Sequence, residues 1–408
     1  MKSLLKGILL LFILFLVSSF IEKQEWGFFA HKKINRLAVY TLPPEMMYFF
    51  KPNIEFFTEH GPDPDKRKYV DPHEAVRHYI DIDYWGEYPF PHLPRTWLGA
   101  MIKYIEISAV YEDTKMTLFS PKINEYDGDT IFGNNIRSSF ERYSSFVKDT
   151  IADNILEGKM EFSIDTFAKW LDVNLSLFEG AQIVVEENFS KEGISPYFLY
   201  QYYYALVHAF EKKNAKSIIR RANDIGHYIA DASVPLHTTK NYNGQLTGQK
   251  GIHAFWENRI PELLADEEFD FFVGKASYVE NIRDFFWDII LKSHSNKDQV
   301  LAAEMKIRKS FPEDKKFVFA ERNGVITRLQ SEEYTRAFNK ELNGMVEMRM
   351  RDAIKALGDI WYTAWVDAGQ PELKDITEIN WTKKEIEEMK KINNADKNGT
   401  FHGRDHWD

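Results

Sequence analysis

The chain contains no cysteine. That absence excludes disulfides, thiolate metal sites, cysteine nucleophiles and the lipid-attachment residue of a bacterial lipoprotein. Positive charge is not in excess either. The formal net charge is −10 at pH 7, so no basic surface recruits nucleic acid by bulk electrostatics. Apolar runs long enough to span a membrane are missing after the first residues, and no internal repeat recurs at a fixed period. What remains is a chain of 408 residues, 44% hydrophobic and 15% aromatic. That is enough for one large domain or two modest ones, with Phe, Tyr and Trp to line a core or a pocket.

The first residues have the pattern of an export signal. Met1 to Lys6 is basic, Gly7 to Val17 is apolar but short for a bilayer span, and Val17-Ser18-Ser19 offers small residues for cleavage. The pattern predicts a signal peptide over residues 1–19 and an exported protein, periplasmic or secreted. An uncleaved anchor is the alternative reading.

The chemistry concentrates between Asn223 and Glu257, NDIGHYIADASVPLHTTKNYNGQLTGQKGIHAFWE. His227 and Asp231 are four apart and share one face of a helix. Val234-Pro235 ends that helix, because proline lacks an N–H and restricts the residue before it. His237 follows directly. A Gly/Asn-rich loop, Asn241 to Gly251, leads to a second pair at the same spacing, His253 and Glu257. One such pair is an ordinary surface feature. Two pairs with a proline-hinged histidine between them form a metal-ligand pattern, and imidazole with carboxylate is the set zinc accepts when thiolate is unavailable.

Further candidate ligands lie upstream. His31 sits in the first turn of a helix predicted to end near Pro43-Pro44, and Trp26 precedes it by five residues. If Trp26 became the N-terminal residue, its amine and carbonyl could chelate a metal. Gly61-Pro62-Asp63-Pro64-Asp65 is a rigid loop by composition, presenting Asp63 and Asp65 beside Lys66, Arg67 and Lys68. The bland alternative is a solvated turn with ion pairs of little worth. His73 and His78 follow.

The rest of the chain supplies organisation. Residues 86–200 carry no clear chemistry. Trp97 to Tyr111 has helical spacing, Asp113 to Asn135 is polar and loop-like, and helical patterns resume from Ser139 to Glu186. Tyr197 to Phe210 is dense in aromatics and predicts a buried helix, with His208 in the core. Lys316 to Leu329 predicts a hairpin turning at Asn323-Gly324. Tyr334 to Ala368 is amphipathic and stops at Gly369-Gln370-Pro371. From Thr382 the sequence is charged and tail-like, and His402 and His406 near the end read as part of a floppy tail, with adventitious metal binding the alternative.

Taken in order, Trp26-x4-His31, Asp65 with His78-Tyr79 beyond it, His227-x3-Asp231-x5-His237 with Pro235-Leu236 before the last histidine, and His253-x3-Glu257 resemble the family joining the bacterial zinc-dependent phospholipases C with the S1/P1 nucleases. WGFFAHKKINRLAVYTLPPEM, PDKRKY and HYIADASVPLHTTKNYNGQ also resemble an exported subgroup from Bacteroidetes-type bacteria. The resemblance implies an all-α, single multi-helix domain over residues 26–371. The chain departs from that family in the stretch between His78 and His227, far longer than in the bacterial phospholipases and read as a helical insertion at about 86–200; one small β-hairpin and a polar tail over 372–408 complete the expected organisation. The resemblance implies three zinc ions, at least two. One would take Asp65, His78, His227 and Asp231; a second His237, His253 and Glu257; a third His31, Trp26 and a bridging Asp231. Asp63 stays open as the alternative to Asp65.

The activity so implied is phosphodiester hydrolysis of the phospholipase C type. A metal-bound hydroxide would attack phosphorus, with Asp65 orienting the water or accepting its proton. Glu257 within IHAFWEN is phospholipase-like, whereas the Trp26–His31 spacing is nuclease-like. A single-strand nuclease or 3′-nucleotidase is therefore the runner-up, and a non-catalytic zinc-binding module the third reading. The expected partners are a phospholipid headgroup or single-stranded nucleic acid and a transient membrane surface, with no stable protein partner.

Overall fold

The computed structural model describes residues 28–403 apart from 113, 135, 153, 155–157, 323–324, 377–378 and 396–399. Residues 1–19, Trp26, the Asn323-Gly324 turn and His406 thus lie outside the described residues. Helices of eight residues or more are numbered in chain order: α1 (Phe29–Ala38), α2 (Trp97–Tyr104), α3 (Ile164–Leu171), α4 (Ser195–Glu211), α5 (Ala215–Ala232), α6 (Ile260–Glu268), α7 (Ile282–Ser310), α8 (Glu332–Glu341), α9 (Met345–Asp367) and α10 (Lys383–Asn393). The strands are β1 (Glu106–Tyr111), β2 (Thr114–Phe119), β3 (Glu125–Asp127), β4 (Thr130–Gly133), β5 (Ile136–Ser139), β6 (Lys159–Ser163), β7 (Gln182–Glu186), β8 (Phe317–Arg322) and β9 (Val325–Gln330).

At the centre, α5 packs against α1, α4 and α9. Asn214 caps its start by accepting from the Ser217 N–H, and most of its second half is buried. Close approach to α1 depends on Gly226, where a Cβ would sit 2.1 Å from Asn35 Oδ1 and 2.8 Å from a Leu357 methyl. The Asn35 amide uses that space to reach the Asn223 carbonyl at 3.1 Å. Trp361 of α9 is fully buried against Phe50 and Phe57 and donates Nε1–H to the Ala222 carbonyl at 2.9 Å. Burying an apolar side chain of this class contributes roughly 1.5–3 kcal/mol, and its indole N–H is satisfied at the same time.

The expected all-α class and helical insertion are overturned. The described structure is 57% helix and 12% strand, in three antiparallel sheets. Seven of the nine strands fall between residues 106 and 186. One sheet has the order β2-β1-β7-β6, a second β3-β4-β5, and the third is the expected hairpin β8-β9. The Trp97–Tyr111 stretch is helical only to Tyr104. Ile105 turns extended, and EISAVY becomes β1 because it pairs on both edges, with Phe119–Thr114 and with Glu186–Gln182. The central strand β7, QIVVE, is buried at its three apolar positions. Short apolar runs like these fit a helix segment or a central strand equally by pattern, and pairing decides between them.

The insertion joins the helical body through aromatic contacts. Tyr104 stacks on Phe189 at 5.2 Å, Trp85 lies 4.6 Å from Phe189, and Tyr197 Oη donates to the Pro94 carbonyl at 2.6 Å. The polar C-terminal stretch forms α10 with a capping box at Thr382 and Glu385. Trp381 stacks on Phe56 at 5.5 Å, and Lys216 pairs with Glu385 at 2.7 Å. No described helix is long and apolar enough to cross a membrane.

Candidate metal centre

Six separate stretches deliver side chains to one buried point. α1 brings His31, whose ring stacks on His227 with centroids 3.9 Å apart. A short helix, Asp63–Arg67, brings Asp65. The turn after Ala75–Arg77 brings His78. α5 brings His227 and Asp231 one turn apart, both buried. Pro235 then starts a 3₁₀ turn, Pro235–Thr238, that folds His237 back under the end of α5. Arg349 holds this end in place through the Ser233 carbonyl at 2.8 Å. The final pair, His253 and Glu257, straddles the step from Ile252–Ala254 into a π-helical turn, Phe255–Arg259. Such turns recur at functional sites.

Asp231 is the shared residue. Its Oδ2 lies 2.7 Å from His78 Nδ1 and 3.3 Å from His227 Nε2. Its Oδ1 lies 3.5 Å from His31 Nε2 and 3.8 Å from His237 Nε2. Asp65 faces His227 at 3.5 Å and His78 at 3.7 Å, and reaches His31 at 4.0 Å. Glu257 meets His253 at 2.7 Å, His237 at 3.4 Å and His31 at 3.5 Å. Three groups of ligand atoms result, each within 4.8 Å: His31, His227 and Asp231; Asp65, His78 and His227; His237, His253 and Glu257. These buried His, Asp and Glu groups can hold metal ions.

The ring tautomers favour that use. His227, His237 and His253 turn Nδ1 to the backbone carbonyls of Gly61, His78 and Tyr242, at 3.0, 2.8 and 2.9 Å. A carbonyl only accepts, so Nδ1 carries the proton and a neutral ring aims its Nε2 lone pair inward. The inward nitrogens of His237 and His253 are 3.2 Å apart, and His227 Nε2 is 3.1 Å from His78 Nδ1. Lone pairs that close require a cation or a proton between them.

The titration behaviour of the metal-free centre follows. Burial alone would lower the His227 pKa, but Asp231 and Asp65 push it up to about 10. Burial would raise Asp231, yet the charges of His227 and His237 hold it well below the usual carboxylate range. Glu257 is likewise pulled down against burial, by hydrogen bonds from His237, His253 and His31. His78 goes the other way: burial and the nearby Lys68 charge lower it. Protons therefore stand where metal ions would bind, and the two compete.

The two aspartates of the GPDPD loop separate cleanly. Asp63 pairs with His60 at 2.7 Å and Lys66 at 3.7 Å, away from the cluster, whereas Asp65 joins it. Trp26 lies outside the described residues. His208 was expected in the core, but its side chain is 65% exposed beside Glu211. It occupies the solvent stripe of α4. Sequence reasoning missed Lys68, read there as part of a solvated turn. Its ammonium is buried 2.7 Å from Asp65. Burial would lower its pKa, but Asp65, Asp231 and Glu257 raise it. Glu74 was missed as well: it lies 3.6 Å from His78 Nε2 and accepts from Tyr228. Only the i,i+3 and i,i+4 spacings to Asp65 and His78 hinted at either. A scan of protein-family models and a search of curated proteins both return no match to the chain.

Proposed function

We propose that the chain is a zinc-dependent phosphodiester hydrolase of the phospholipase C type, a member of the phospholipase C and S1/P1 nuclease family, exported through residues 1–19. The observation that carries the reading is Asp231, whose two carboxylate oxygens face imidazoles of both ends of the ligand cluster. The donor set is nitrogen and oxygen without thiolate, which suits zinc. Two ions fit the described ligands, and a third requires the Trp26 amine.

Zinc, when bound, supplies Lewis acidity that brings the pKa of water toward ~7 and offsets phosphate charge. The chain supplies the rest. Asp65 is the most open of the three carboxylates, 24% exposed against 2% for Asp231 and 11% for Glu257. It can accept the proton of an attacking water arriving from solvent. Lys68 beside it fixes that carboxylate and adds positive charge where a phosphate oxygen would lie. Asp231 and the backbone carbonyls behind the rings keep the imidazoles in one tautomer and orientation.

The test is side-by-side hydrolysis of phosphatidylcholine vesicles and single-stranded DNA by the secreted protein, with and without chelator. Chelator-sensitive release of phosphocholine supports the proposal. DNA cleavage alone moves the chain to the nuclease branch, and a zinc-loaded protein inert on both would be a binding module.

A further inference from the structure

A cavity lies at the seam between the α/β insertion and the helical body, with a volume of about 300 Å³. Its walls come from α2 and the residue before its cap, from the stretch around Lys148, and from α4 and α7. Three side chains there are cationic, Arg95, Lys148 and Arg283, and three are flat, Trp97, Tyr197 and Tyr200. Among the described residues no carboxylate lines it. The charge balance differs elsewhere. The cavity beside α7 and α9 sets Asp288, Asp352 and Asp359 against its lysines and arginine, and the one beneath the β8-β9 hairpin pairs Arg308 with Glu304 and Lys316 with Glu313.

The arginines are held by rings and carbonyls instead of acids. Arg95 lies 4.4 Å over Trp287, and its Nη2 donates to the Pro89 and Phe90 carbonyls at 3.3 and 3.4 Å. Its Nη1 is buried without a hydrogen-bond partner. Asp284 and Asp288 act on it through charge, but burial outweighs them and lowers its pKa. Arg283 lies 4.6 Å over Tyr200 and donates to its hydroxyl at 3.0 Å. Planar guanidinium groups fixed in this way are preorganised for an oxyanion.

We propose that this seam binds a small aromatic phosphate monoester, with the phosphate between Arg95, Arg283 and Lys148 and the ring against Trp97, Tyr197 and Tyr200. A dianion answers three cations, the rings offer flat apolar faces beside them, and the volume is at the lower end of small-molecule pockets. The site is independent of the metal centre and of the hydrolase reading.

Calorimetric titration of the full protein with phenyl phosphate, inorganic phosphate and phenol tests it, each with and without chelator. Phenyl phosphate should bind more tightly than either fragment, and chelator should leave that binding intact. Arg283→Gln should weaken it about tenfold, the loss of one charged hydrogen bond. Lys148→Gln, at an exposed position that cannot unfold the core, should weaken it severalfold with an unchanged melting temperature. Binding that disappears with chelator, or that neither variant changes, would overturn the proposal, as would no binding at all.

Discussion

Asp231→Asn isolates charge from shape at the most shared position of the centre. Asparagine keeps a carbonyl oxygen and nearly the same volume, so the packing at the end of α5 survives. What goes is one negative charge facing His78, His227, His31 and His237 at 2.7–3.8 Å. Two unit charges about 4 Å apart at an effective dielectric of about 20 interact by about 4 kcal/mol. A divalent ion closer than that feels more, so about 4 kcal/mol is a floor, and metal affinity should fall at least about 10³-fold. The assay is metal content per chain by mass spectrometry after dialysis against buffered zinc, with circular dichroism to confirm folding. Wild type should keep two ions or more and the variant should lose at least one. His208→Ala, at an exposed histidine of α4, should change nothing. A folded Asp231→Asn protein with wild-type metal content and chelator resistance would refute the argument that this carboxylate bridges the cluster.

Three further outcomes are expected. Asp65→Asn should fold and, with zinc supplied to saturate its weakened site, turn over about 10²- to 10⁴-fold more slowly, the range for a lost general base; initial rates on whichever of phosphatidylcholine and single-stranded DNA the wild type hydrolyses decide it, and wild-type rates would remove Asp65 from proton transfer. Chelated protein should become less stable as pH rises. His227 is raised from its ordinary 6.5 to about 10, so its stabilisation is complete below about pH 6.5 and lost on rising through about 10. Melting temperatures across that window should fall for the chelated form and stay flatter with zinc, and identical slopes would remove the proton–metal competition. Gly226→Ala should destabilise by about 1–3 kcal/mol, because its Cβ would collide with Asn35 and Leu357. It should also loosen metal by displacing α1 and His31; a wild-type urea midpoint would show that the two helices tolerate a wider spacing.

The central ligands were legible because helical spacing is local. His227 with Asp231, and the stop at Val234-Pro235, follow from chain geometry without knowledge of neighbours. Elsewhere the same logic ran out. Tyr334 to Ala368 reads as one amphipathic stretch, yet Asn343 and Gly344 both take positive φ and split it into α8 and α9. The β8-β9 hairpin was readable from its turn residues. The sheets of the insertion were not, because β6 alternates over only five residues and β7 shows no alternation at all. A strand buried on both faces loses the period that would identify it.

The choice between Asp63 and Asp65 shows where local reading must stop. Both sit in the first turn of one short helix, two residues apart, so they point to different sides of it. Sequence fixes that divergence but not which side faces α5. The answer depends on His60, 163 residues from its partner Asn223, whose amide donates to the His60 carbonyl at 2.7 Å. Beside that contact the Gly61 carbonyl accepts from His227 at 3.0 Å. With the loop anchored to α5 in this way, His60 and Lys66 take Asp63, and Asp65 turns to the histidines. The same anchor buries Lys68 against Asp65. A lysine that would be a solvated ion pair on an isolated turn thereby becomes part of the centre, because the fold removes the water that would have screened it.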